Sequence, residues 1–80
     1  MSKNGEWVDI GSAYITAAQY NETTQALTIR FYDGYVYCYT PVLRIVFDGL
    51  LTTSSVGDFF YQHIYRPVLK GTYGYTYEIR

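Results

Sequence analysis

From Gln25 to Tyr39 the chain alternates apolar and polar side chains with a period of two on both sides of Asp33-Gly34. That is the pattern of two half-buried strands joined by a tight turn. Asp-Gly suits a two-residue type I′ loop, because both central residues of that turn need positive φ. The loop predicts a register in which Tyr32 faces Tyr35, Phe31 faces Val36, Arg30 faces Tyr37, Ile29 faces Cys38 and Thr28 faces Tyr39. One face is then apolar, with Leu27, Ile29, Phe31, Val36 and Cys38. The other carries Thr28, Arg30, Tyr32, Tyr35, Tyr37 and Tyr39, a platform of phenol rings with one guanidinium directed away from the core.

Upstream, Trp7 to Tyr20 reads as one strand, bent near Gly11, where the missing Cβ permits a bulge. The pattern does not fix which of its faces is buried. Asn21-Glu22-Thr23-Thr24 is a polar turn. At Thr40-Pro41 the period changes: Thr40 suits an N-cap, Pro41 suits the first helical position, and Leu43, Val46, Phe47 and Leu50 recur at helical spacing. Gly49 weakens the end of this helix. Ser54-Ser55-Val56-Gly57-Asp58 resembles a capping box and opens a second helix with Val56, Phe59, Phe60, His63 and Ile64 on one face. Pro67 is expected to end it, since proline disfavours helical geometry in the residue before it. The tail alternates again, with Tyr73, Tyr75, Tyr77 and Ile79 on one side. This strand, 72–79, either completes the sheet or pairs with another subunit. The fold class is α+β, a small antiparallel meander with two helices and a C-terminal strand in the order β-β-β-α-α-β. Residues 7–80 form the single domain and 1–6 a frayed N-terminus.

Eighty residues make a small core, and the one cysteine forms no internal disulfide. Aromatic burial between subunits is the remaining source of stability, so a homo-oligomer is expected. Six Lys and Arg against seven Asp and Glu, with a pI near 5.6, cannot supply the basic stripe that long nucleic acids require. A ligand with one to three phosphates needs fewer cations. The N-terminus has no apolar run or cleavage-site pattern, so a cytoplasmic location is expected, the host cytoplasm if a phage encodes the chain. No cofactor and no membrane partner are expected.

Ser12, Ile15, Tyr20, Leu27, Phe31 and Gly34, then Tyr37-Cys38-Tyr39, Leu50, Ser55, Gly57, Phe60 and Ile64, carry a spaced pattern that resembles the KTSC domain. That family is named after the C-terminal extension of some lysyl-tRNA synthetases, and it also occurs as free-standing short proteins in bacteria and their phages. The likeness spans roughly residues 8 to 64. It departs at Val42-Leu43, where the proline has moved to Pro41, at Ser12-Ala13, and at Val56, which replaces a basic residue. The resemblance implies the fold and, through the synthetase extension, RNA binding.

Two candidate sites follow from the residues. Tyr32, Tyr35, Tyr37 and Tyr39 either pack against helices or a second subunit, or stack on bases, with Arg30 pairing a phosphate. Ser54, Ser55 and Gly57 either cap a helix or present its N–H groups to an anion, with Arg66 at the far end of the same helix as a further cation. Cys38 reads as a small buried hydrophobe beside Ile29, and His63 as a packed core residue. The reading is therefore a non-catalytic protein, an oligomer that binds and sequesters a small nucleotide such as a cyclic nucleotide immune signal, as a phage sponge does. A single-stranded RNA or tRNA module and a purely structural interaction module are the alternatives. An enzyme is the least supported class.

Overall fold

In the computed structural model, which describes residues 6–79, the chain reverses at Gly11, whose φ is +70°. The expected single bent strand is therefore two, β1 (Val8–Asp9) and β2 (Ile15–Asn21), paired antiparallel with Val8 opposite Ala18. Left-handed backbone at Gly11 converts the expected bend into a full turn, closed by Ser12 N–H donating to the Ile15 carbonyl at 3.1 Å. A bulge between Ile15 and Ala17 then directs Ile15, Ala18 and Tyr20 to one side of the sheet, all buried. Asn21 Oδ1 accepts the Thr23 N–H at 2.9 Å, which makes the predicted polar turn, and β3 (Ala26–Phe31) follows. The expected frayed segment 1–6 lies, apart from Glu6, outside the described residues.

The order of the sheet is β1-β2-β3-β4-β5, antiparallel throughout, with β4 at Tyr35–Thr40 and β5 at Gly74–Ile79. The last strand pairs with β4 of its own chain, Tyr39 opposite Tyr75, and the α+β meander with helices inserted before the final strand is as the sequence predicts.

The register of the central hairpin differs from the expected one by a single residue. Arg30 pairs with Val36, Ile29 with Tyr37, Thr28 with Cys38 and Leu27 with Tyr39. The loop has three residues, Tyr32, Asp33 and Gly34: Gly34 N–H donates to the Phe31 carbonyl at 3.0 Å and Gly34 has φ +92°. This is the type I turn followed by a left-handed glycine, in which only the glycine needs positive φ. A one-residue slip moves every side chain of a strand to the opposite face. Tyr37 and Tyr39 therefore share the core face with Leu27, Ile29 and Phe31, while Val36 and Cys38 join Thr28 and Arg30 on the other. An aromatic side chain carries about 150–250 Å² of buriable surface, far more than Val or Cys, so the observed register lets the larger side chains pack beneath the helices.

On the reverse face Arg30 lies over the Trp7 ring, 4.4 Å from its centroid. Cys38 is half-buried there opposite Thr28, not beside Ile29.

The first helix, α1, spans Arg44–Thr52, so it starts later than Pro41. Backbone groups of the intervening segment have other partners: Val42 N–H donates to the Gln25 carbonyl at 2.8 Å, and the Tyr20 hydroxyl donates to the Val42 carbonyl. Leu43 is consequently exposed, whereas Val42 is fully buried. Arg44 bridges Glu22 and Asp48, tying the first turn of α1 to the β2–β3 turn. Gly49 is where α1 crosses the second helical segment: a Cβ there would stand 2.5 Å from Phe59 Cζ.

That second segment runs as α2 (Val56–Phe60), a π-helical turn (Tyr61–Tyr65) and α3 (Arg66–Leu69). It does not stop before Pro67. Proline has no N–H and crowds the carbonyl four residues back, and here the preceding turn is widened, with Arg66 N–H donating to the Tyr61 carbonyl. The helix ends at Gly71, φ +81°, where Gly71 N–H donates to Val68 and Thr72 N–H to Pro67, a Schellman pattern. Phe60 and Ile64 are buried as predicted. His63 is not a core residue; it is exposed, with its ring 4.4 Å from that of Phe59. Among the described residues no helix is long and apolar enough to cross a membrane.

Candidate aromatic groove

The slipped register and the π turn together build an aromatic groove between the sheet and the second helical segment. Its floor is Phe31, Tyr37, Tyr39 and Phe60; its sides are Tyr14, Tyr32, Asp33, Tyr35, Tyr65, Val68, Leu69 and Tyr75. Seven of the eleven tyrosines of the chain therefore surround one open space of about 490 Å³.

Strand pairing sets the rings of β4 and β5. Tyr37 and Tyr39 stand two residues apart on one face, 6.2 Å between centroids and 11° from parallel. Tyr75, opposite Tyr39, lies 5.9 Å from Tyr37 and 6.2 Å from Tyr39. Phe60 is the hub on the helix side, meeting Phe31 edge-on at 5.4 Å, Tyr14 at 5.7 Å and Tyr39 at 6.1 Å. Tyr65 sits 6.5 Å from Phe60. In a regular α-helix five residues turn about 140° past a full circle, which would swing Tyr65 away; the π turn brings it back over the groove. A smaller hollow of about 260 Å³ adjoins, lined by Tyr14, Gly57, Phe60, Tyr61 and Tyr65.

Two hydroxyls of the groove, those of Tyr39 and Tyr14, are held protonated. Burial pushes Tyr39 far above its usual value, with the charges of Tyr37, Tyr14 and Tyr75 adding to it. Burial likewise raises Tyr14, and next come Tyr65, Tyr32, Asp33 and Tyr37, groups that surround its hydroxyl. These phenols are neutral donors and acceptors at physiological pH. Asp33 accepts the Tyr35 N–H at 3.2 Å, which fixes its carboxylate at the end of the hairpin loop.

Of the residues expected at a ligand site, Tyr32, Tyr35, Tyr37 and Tyr39 line the groove, but on the helix-facing side of the sheet. Tyr39 is only 5% exposed, whereas Tyr32 is 67% exposed. Arg30 is on the opposite face with Trp7, so it does not accompany Tyr37. Gly57 lines the adjoining hollow. Ser54 and Ser55 are exposed outside both spaces, and the Ser55 hydroxyl lies 3.0 Å from the Asp58 carboxylate. That places a negative charge where an anion was expected. Arg66 is exposed on α3, away from the groove lining. Sequence reasoning did not select Tyr14, Phe31, Phe60, Tyr65, Val68, Leu69 or Tyr75. The alternation of the last strand carried a signal for Tyr75, but none was present for Tyr65, whose placement depends on the π turn.

Ile15, Tyr20, Leu27, Phe31, Tyr39, Leu50, Phe60 and Ile64, most of the motif positions, are core residues. The motif therefore records how this fold packs, and it supplies the groove floor while the rim tyrosines lie outside it. A protein of Tsukamurella paurometabola is 42% identical over 50 residues, covering 62% of this chain and 75% of the relative. The family model described as KTSC domain matches residues 11–67, from the reversal at Gly11 through both helical segments to Pro67. With most of its length inside that match, the chain belongs to the KTSC domain family.

Proposed function

We propose that this protein is a non-catalytic binder of a small nucleotide ligand, stacking the base in the tyrosine groove and sequestering it in the cytoplasm. The observation that supports the reading is the concentration of seven tyrosines and two phenylalanines around about 490 Å³, within the roughly 300–1,000 Å³ usual for small-ligand pockets. Stacking of a base on an aromatic side chain contributes about 1–3 kcal/mol. Hydroxyls of Tyr14, Tyr35 and Tyr37 add polar contacts around the ring. No Lys or Arg is among the described lining residues, so the phosphates point outwards, where water solvates them. A single-stranded RNA fits less well, because Arg30 is behind the sheet and the groove has room for few ring systems.

Self-association is part of the proposal. Leu43 and Ile45 are 61% and 74% exposed at the start of α1, apolar surface suited to a second copy of the chain. Such a protein would act as a sponge, removing a cyclic nucleotide signal without altering it, as small phage anti-defence proteins do.

Isothermal titration against cyclic dinucleotides, cyclic oligonucleotides and cyclic ADP-ribose isomers tests the reading. A ligand bound below about 10 μM with its mass unchanged afterwards is the expected result, and absence of binding across the panel refutes it. Tyr37→Ala should weaken binding while leaving the native mass of the assembly unchanged. If it breaks the assembly and leaves affinity intact, the tyrosines are interface anchors.

A further inference from the structure

We infer that the groove selects a planar ring carrying positive charge, such as an N-alkylated nucleobase or a pyridinium, over a neutral ring of the same shape. The inference rests on the nucleotide-binding reading above and narrows its ligand class. Asp33 carries the one formal charge among the described lining residues, and it is negative. The remaining lining is aromatic or aliphatic, and an aromatic ring presents a negative face to whatever lies over it. A delocalised cation gains from both, because cation–π attraction strengthens as the cation leaves water.

The position of Asp33 makes the charge effective. Its carboxylate is held by the Tyr35 N–H at 3.2 Å, and, after burial and the phenols of Tyr65 and Tyr32, its charge contributes to raising the Tyr14 phenol, which lines the same groove. The field that opposes an anion at Tyr14 favours a cation in the same space. The hairpin-loop end of the aromatic surface is therefore set against phosphate and towards positive charge.

The test uses matched pairs: 1-methyladenosine against adenosine and 1-methylnicotinamide, methylated on the ring nitrogen, against nicotinamide, titrated into the full chain near neutral pH at fixed ionic strength. Tetramethylammonium serves as a cation without a plane. The cationic member of each pair should bind about tenfold more tightly, and tetramethylammonium more weakly than either cationic ring. Asp33→Asn retains an acceptor for the Tyr35 N–H, so the loop is preserved, and it should reduce the tenfold ratio to about threefold. Equal affinities within the pairs, a ratio unmoved by Asp33→Asn, or tetramethylammonium binding as well as the rings overturns the inference while leaving the nucleotide reading intact. Failure of every ring compound to bind removes both.

Discussion

The ring of Phe60 meets that of Tyr39 at 6.1 Å with the planes 65° apart, and the two side chains are 3% and 5% exposed. This edge-to-face contact joins α2 to β4 beneath the groove, so the proposed ligand site and the core share residues. Phe60→Leu and Tyr39→Leu should each lower stability by about 1–3 kcal/mol in urea denaturation. A double-mutant cycle should then return a coupling of about 0.5–1.5 kcal/mol. Additive losses would show that the two rings are neighbours without energetic connection.

Alkaline pH should unfold this domain through its tyrosines. Burial raises Tyr39 far above the ordinary value near 10, and it raises Tyr14, Tyr20 and Tyr73 in the same direction. The folded state thus holds these protons more tightly than the unfolded chain. Their contribution is fully present below about pH 10, and it is lost as pH rises above 10 towards the folded values. The unfolding free energy from urea titration should show no loss from these groups up to about pH 9, then fall by as much as about 1.4 kcal/mol per pH unit for the buried Tyr39 and by less for the more exposed Tyr14. Tyr39→Phe should reduce that slope. An unchanged midpoint to pH 12 would contradict the burial of these phenols.

Gly34 holds the hairpin in its three-residue loop with φ +92°. Gly34→Ala should cost about 1–2 kcal/mol and Gly34→Asn less, since Asn tolerates left-handed backbone. The same loop carries Tyr32, Asp33 and Tyr35 onto the rim of the groove, so ligand affinity should fall in the same order as stability. Denaturation and titration on the two variants check both parts. Equal stability of Ala and Asn at this position would show that the backbone conformation is not what the glycine supplies.

The sequence made the elements legible more readily than the faces they present. Alternation around Asp33-Gly34 located β3 and β4, and helical spacing placed Phe47 and Leu50 in the core. Register was not legible, because Tyr35-Val36-Tyr37-Cys38-Tyr39 offers a buriable side chain at every position and Asp-Gly fits loops of two or three residues. The choice depends on Phe60 and Ile64, which are distant in sequence and pack beneath the larger rings. Four of the groove tyrosines were legible as a set, yet on the wrong side of the sheet. Arg30 was separated from them by the same slip. Pro67 misled in a related way: its local rule predicts a stop, and only the widened turn before it, with the Arg66 N–H on Tyr61, lets the helix continue and carry Tyr65 over the site.

Gly49 gives the sharpest check on how the helical layer is assembled. A methyl group at this position would stand 2.5 Å from Phe59 Cζ and 2.8 Å from Phe59 Cε2, so the ring must move for alanine to fit. Phe59 is also held by His63, 4.4 Å away. Alanine in a helix interior is otherwise favoured over glycine by about 1 kcal/mol. The two effects oppose one another, and the close contact should dominate: Gly49→Ala is expected to destabilise the protein by about 1–2 kcal/mol. In a Phe59→Ala background the contact is gone and only propensity remains, so the same substitution should stabilise by about 0.5–1 kcal/mol. Chemical denaturation of the four proteins reads this reversal of sign. A Gly49→Ala change that stabilises in both backgrounds would mean that the Phe59 ring is free to swing aside and does not lock α1 against α2.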